Sequence, residues 1–221
     1  MANTIVPAEL LQSSGYNIKL GNTAGDSITT GEYNITVGNN AGTAISTGNR
    51  NVVIGASSGD AITTGAENVA IGTSSLTTNT TGSNNVAIGD QALSALTTAD
   101  NNTAIGTDAL TANTTGASNV AVGYEAGKDV TTGASNVLVG REVGAEATTG
   151  SFNTAIGHQA YAAGSASAAT GSNNVAVGYG ALYKATTADS NVAIGQYAML
   201  ENTTGNSSVA IGKYALDANT T

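Results

Sequence analysis

Residues 84–93 read NNVAIGDQAL: a polar start, the run Val86, Ala87 and Ile88, then Gly89 and a polar pair closed by Ala92 and Leu93. Side chains alternate across a strand, so Val86 and Ile88 share one face while Ala87 takes the other. An apolar pair spaced by two and closed by glycine does not fit a helix. The phrase is a short strand that ends at a turn.

Working outward, the phrase begins at Asn17, Asn34, Asn51, Asn68, Asn85, Asn102, Asn119, Asn136 and Asn153, each 17 residues after the last, and resumes at Asn174, Asn191 and Ser208. One interval is 21, which makes 12 coils with a single four-residue insertion within 160–171, in the Ala- and Ser-rich stretch after Tyr161. Counting each coil from its Asn as position 1, position 5 is always Gly, position 4 aliphatic, position 2 β-branched and position 3 usually Ala. Position 8 is small in nearly every coil, the mark of a tight inward corner. Positions 9 and 12 exchange volume. Gly25, Gly42, Gly59 and Gly127 accompany Ile28, Ile45, Ile62 and Val130, whereas Leu76, Leu110 and Leu216 accompany Asn79, Asn113 and Asn219. Competition for one core space explains this, because interiors tolerate neither voids nor overpacking. Leu93 with Leu96 breaks the rule. The coil closes with Thr-Thr-Gly, and Asp100 and Asp189 follow the two coils that carry Ala99 and Ala188 in place of that glycine.

A 17-residue period is too short for leucine-rich or helical repeats and suits two or three short strands with turns. The expected fold is all-β: a parallel β-solenoid (β-roll or β-helix) over residues 15–221. With neighbouring strands ~4.8 Å apart, 12 coils make a rod about 58 Å long. Stacking aligns Asn17, Asn34, Asn51, Asn68, Asn85, Asn102, Asn119, Asn136, Asn153, Asn174 and Asn191 as a structural ladder of amides. Residues 1–14, with Pro7 placed to start a helical turn through Leu11, read as an N-terminal cap or attachment segment. The chain stops at Thr221, before the turn glycine of its last coil, which predicts a continuing chain or a stacked partner.

Composition agrees. With 10% charged residues, 4% aromatic and 29 glycines, the chain cannot fill a wide core, only a narrow one lined by Val, Ile, Ala and Leu. Fifteen acidic against six basic residues give a net charge of −9 with no basic stripe, so nucleic acid is not an expected partner. The absence of Cys excludes disulfides and thiolate metal sites. MANTIVPAELLQSS at the start lacks the basic and apolar runs of a secretory signal, and no segment reaches membrane-span length, so no membrane insertion is expected.

NNVAIGDQAL (84–93), NNTAIGTDAL (101–110) and SSVAIGKYAL (207–216) resemble the repeat regions of bacteriophage tail and neck fibres and the head repeats of trimeric autotransporter adhesins, over about residues 15 to 221. The resemblance implies a parallel β-roll assembled as a homotrimer, with some Ala and Gly positions between subunits, and with no catalytic residues and no cofactor. The strict 17-residue spacing is longer than the usual adhesin coil, so the detail of the roll does not carry over. The lack of a secretion signal or anchor tilts the expectation toward a virion. The expected function is a non-enzymatic structural fibre protein, a stiff spacer that also touches the host and joins other virion proteins through its N-terminus. A bacterial surface adhesin head is the alternative. An ice-binding solenoid comes third, since adjacent strand residues point to opposite faces and leave one outward Thr per coil.

No motif carries catalysis or metal binding. His158 is the only His and has no second His or Cys with which to share a metal. Asp90, Asp108, Glu125 and Glu142 are scattered over loop positions, the Gly-Gly-x-Gly-x-Asp calcium phrase is absent, and no glycine phrase opens a phosphate-binding helix. One rib does stand out, at positions 6 and 7. Early coils put Asn22, Asn39, Ser57 and Thr73 there, but later ones carry Tyr124, Arg141, His158, Tyr179, Tyr197, Lys213 and Tyr214. Stacked Tyr and Arg typify interfaces, so the rib is the expected contact for a second subunit or a host glycan.

Overall fold

The computed structural model describes residues 15–165 and 168–220. The expected cap, with Pro7 and Leu11, lies outside the described residues. Twelve three-residue strands run from β1 (Ile18–Leu20) to β12 (Val209–Ile211) and form one parallel sheet in strict sequence order. β5 (Val86–Ile88) pairs with β6 (Thr103–Ile105) as Val86 with Thr103, Ala87 with Ala104 and Ile88 with Ile105. The other pairs repeat this register, and the offset rises to 21 only where β9 (Thr154–Ile156) meets β10 (Val175–Val177). The chain is therefore a parallel β-solenoid of about eleven turns.

Among the described residues only one strand forms in each coil, fewer than the two or three expected from the period. The reason lies in the backbone. Position 5 glycines hold φ between 127° and 141°, positions 7 and 9 are left-handed in every coil, and so is the residue that precedes each position 1. A strand cannot pass through such residues. Coil-to-coil hydrogen bonding continues through the turns nonetheless, as in Gly42 N–H to the Ser58 carbonyl at 2.9 Å and Ser46 N–H to the Thr63 carbonyl at 2.9 Å. Wherever another coil follows, position 5 admits no side chain: a Cβ on Gly106 would collide with the carbonyl of Gly123 in the next coil.

The strand faces are disposed differently from a core lined by its Val and Ile. Position 3 points inward, as Val53, Ala70, Ala87 and Leu138 show, whereas positions 2 and 4 face out and stay partly exposed. A 17-residue loop encloses so thin an interior that positions 3, 8, 9 and 12 fill it, leaving no room for the larger strand residues. The position 9 and 12 exchange is a contact: a Cβ on Gly42 would lie 2.7 Å from Ile45 Cδ1, and one on Gly59 would lie 2.9 Å from Ile62 Cδ1. Position 3 joins the exchange. Gly42, Gly59 and Gly144 accompany the larger Thr36, Val53 and Leu138, and every coil with Leu at position 9 has Ala at position 3; Gly127, paired with Ala121, departs from this, Leu138 of the next coil reaching its space. Buried Asn79, Asn113 and Asn202 also do more than fill space, each exchanging two hydrogen bonds with the turn glycine three residues on.

At position 1 the Asn side chains are buried and linked along the axis. The Asn51 backbone N–H donates to Asn34 Oδ1 at 2.9 Å, and its Nδ2 donates to the same oxygen at 3.0 Å and to the Gly65 carbonyl at 2.9 Å. A second ladder runs up position 13, where Thr63 Oγ1 donates to the Thr80 carbonyl at 3.0 Å and Thr97 Oγ1 to the Thr114 carbonyl at 3.0 Å. In the long coil, Tyr161 takes position 9 and fills the core, its hydroxyl donating to the Gly171 carbonyl at 2.6 Å. Beyond it, among the described residues of the inserted stretch, Ala163–Ser165 make a short turn with Ala163 and Gly164 left-handed.

Candidate functional site

Position 5 glycine swings the backbone off the strand, and left-handed position 7 turns it back, so positions 6 and 7 project from a corner of the solenoid. The structure divides the expected rib into two groups. In the first, the Arg141 guanidinium lies 5.7 Å from the Tyr124 ring and 2.7 Å from Glu142 Oε1. The second is continuous: His158 lies 5.3 Å from Tyr179, Tyr179 meets Tyr197 edge-on at 4.9 Å, Tyr197 stacks on Tyr214 at 5.5 Å, and Lys213 Nζ sits 5.1 Å above the Tyr214 ring. Glu142 joins the two groups, with one carboxylate oxygen 3.6 Å from His158 Nε2 and 2.8 Å from the donating Gln159 amide.

These neighbours set the ionisation of the corner. The Gln159 amide, more than any cation, holds the Glu142 carboxyl below its usual range, and Lys128 does the same for Glu125. Hydrogen bonding with Tyr179, with burial adding to it, pushes the Tyr197 phenol up to about 12. Beside them, burial raises the carboxyls of Asp129 and Glu146.

Between coils 9 and 11 the rib borders a groove of about 320 Å³ walled by Tyr179, Tyr183 and Tyr197 and closed by the Lys184–Glu201 pair. Gln159 and Tyr183 also line a smaller cavity of about 100 Å³ that reaches Lys128, Glu125 and Glu146. Tyr183, Lys184 and Glu201 lay outside the expected rib, although Lys184 and Glu201 are 17 residues apart, the spacing of stacked neighbours. A second aromatic column was also missed. Tyr16 and Tyr33 stack at 5.3 Å at position 17, with Arg50 5.9 Å from the Tyr33 ring and 3.4 Å from Glu67. It too was legible from the 17-residue spacing.

Among the described residues no group of three or more His, Cys, Asp or Glu could hold a metal ion, and no helix is long and apolar enough to cross a membrane. Fold and site define a β-solenoid repeat protein with an aromatic corner. Comparison with known proteins returns no matching family model, no matching curated relative and no matching solved structure.

Proposed function

We propose that this chain is a non-enzymatic structural protein that assembles through its strand face into a stiff spacer, as a homotrimeric fibre of a phage virion. One observation carries the assembly. Of the outward strand residues at positions 2 and 4, all but Thr103 and Thr154 are aliphatic: the position 4 column is unbroken from Leu20 to Ile211, and the position 2 column from Ile18 to Val209 is interrupted only at those two threonines. Eleven strand spacings of ~4.8 Å make that apolar band roughly 53 Å long, well beyond the scattered apolar residues normal for a monomer's surface. Three such bands around a common axis bury one another. The virion setting rests on the resemblance of the repeat phrases alone, and a bacterial adhesin head shares the same phrases.

Ice binding has less behind it. Position 14 exposes one Thr per coil, as at Thr64, Thr81 and Thr98, while the position 13 hydroxyls are committed to the next coil's carbonyl. The test is the mass of the particle by light scattering. Three chains per particle is the expected result, and a single chain at working concentration overturns the assembly.

A further inference from the structure

We propose that the groove walled by Tyr179, Tyr183 and Tyr197 binds a neutral, hydroxyl-rich saccharide. In a repeat protein most surface features recur at every coil, so departures from the repeat that meet at one place mark a specific site. Three do so here. Gly180 is the only glycine at position 7, and a Cβ there would lie 2.7 Å from Cδ1 and Cε1 of Tyr197, so its absence lets that ring lie against the backbone. Tyr183 is the only aromatic residue at position 10. Gly164, in the stretch that carries the single insertion of the repeat, lies beneath them: a Cβ on it would be 3.3 Å from Tyr183 Cε1 and 3.2 Å from Lys184 Cγ, so the turn at Gly164 backs both residues.

The chemistry of the groove selects its occupant. At about 320 Å³ it lies at the small end of the roughly 300–1,000 Å³ range of small-molecule sites, which are aromatic-lined with a few placed polar groups. Tyr faces carry negative π-density that attracts the C–H face of a sugar ring. Lys184 Nζ lies 2.8 Å from both carboxylate oxygens of Glu201, so the groove end is neutral yet offers donors beside acceptors. A sugar hydroxyl both donates and accepts, which suits that pair better than an ion or a plain hydrocarbon does. Next door, the carboxylates of Glu125, Glu142 and Glu146 outnumber Lys128 and Arg141, which disfavours sugars bearing carboxylate, sulfate or phosphate. The groove is built from positions 6 to 11, off the strand face, so it stays open when strand faces pack together and does not depend on the fibre reading.

Saturation-transfer NMR on the full chain with lactose, maltose and N,N′-diacetylchitobiose, and with sialyllactose as the acidic probe, tests the site. At least one neutral sugar is expected to receive saturation at millimolar concentration, more strongly than sialyllactose. Tyr197→Ala should weaken it about tenfold or more through loss of one stacked ring. Gly180→Asn should do the same without altering the backbone, because Asn40 holds the same left-handed conformation at position 7. No transfer to any neutral sugar, preference for sialyllactose, or binding unchanged in both folded variants would each overturn the proposal.

Discussion

The Asn68 backbone N–H and side-chain Nδ2 both donate to Asn51 Oδ1, at 3.0 and 3.1 Å, and Nδ2 also donates to the Gly82 carbonyl at 2.9 Å. Asn68 Oδ1 in turn accepts from Asn85. One amide thus ties three coils. Asn68→Ala strips the Asn85 N–H of its acceptor and the Gly82 carbonyl of this donor, and Asn68→Asp adds a carboxylate facing Asn51 Oδ1. At ~1–3 kcal/mol per orphaned buried group, the alanine variant should lose about 2–4 kcal/mol and the aspartate variant more. Because each coil contacts only its neighbours, urea unfolding should also broaden or split at the weakened coil. A sharp transition at the parent midpoint would refute the ladder's role.

The volume exchange among positions 3, 9 and 12 predicts strong coupling. Coil 3 carries Val53, Gly59 and Ile62, where coil 4 carries Ala70, Leu76 and Asn79. Gly59→Leu alone overpacks against Ile62 and Val53, at about 1–3 kcal/mol. Val53→Ala and Ile62→Asn alone leave voids, and Ile62→Asn buries an amide as well. The triple graft gives coil 3 the packing of coil 4, so it should come within ~1 kcal/mol of the parent. Urea midpoints of the three single variants and the triple decide it. Additive losses would show that the positions do not share one space.

The period, the strand, the position 5 glycines and the Asn ladder were legible because a solenoid converts sequence spacing directly into contact: residues 17 apart are stacked neighbours. Spacing also encoded the Lys184–Glu201 and Gln159–Glu142 contacts, though they were not singled out. Alternation in NVAIG defines two faces without saying which is wet, and the usual preference for aliphatics inside points the wrong way for Val86 and Ile88. The contact of Gly164 with Tyr183 was not legible at all, since an insertion breaks the period that makes the rest readable.

Glu146 gives the pH prediction. Burial is the main reason its carboxyl titrates above the ordinary value of 4.5, and the neighbouring Asp129 adds to it. A raised carboxyl means the folded chain takes up the proton more readily than the unfolded chain, so the charged form costs stability at neutral pH. That cost disappears as pH falls through the folded value to the unfolded one. Glu146→Gln should therefore stabilise the fold at neutral pH by less than ~1 kcal/mol once solvent screening is discounted, read as a higher melting temperature, and lose its advantage near pH 4. Glu125 and Glu142, both lowered, act in the opposite sense: their contribution is present above the unfolded value and lost in acid.

The apolar strand face makes the most direct prediction. Val86 and Ile88 are outward and half-buried in the single chain, so lysines there extend into water and leave the coil intact. In an assembly that packs strand faces together, the same lysines would bury unpaired ammonium groups, a penalty of several kcal/mol per ion. The Val86→Lys, Ile88→Lys double variant should then scatter as a single chain with an unchanged circular dichroism spectrum. Thr98→Lys with Thr115→Lys places the same two charges on the exposed position 14 column and should keep the parent mass. If the position 14 pair dissociates the particle and the strand-face pair does not, the subunits meet on the threonine side, and the aliphatic columns serve only to hold neighbouring strands together.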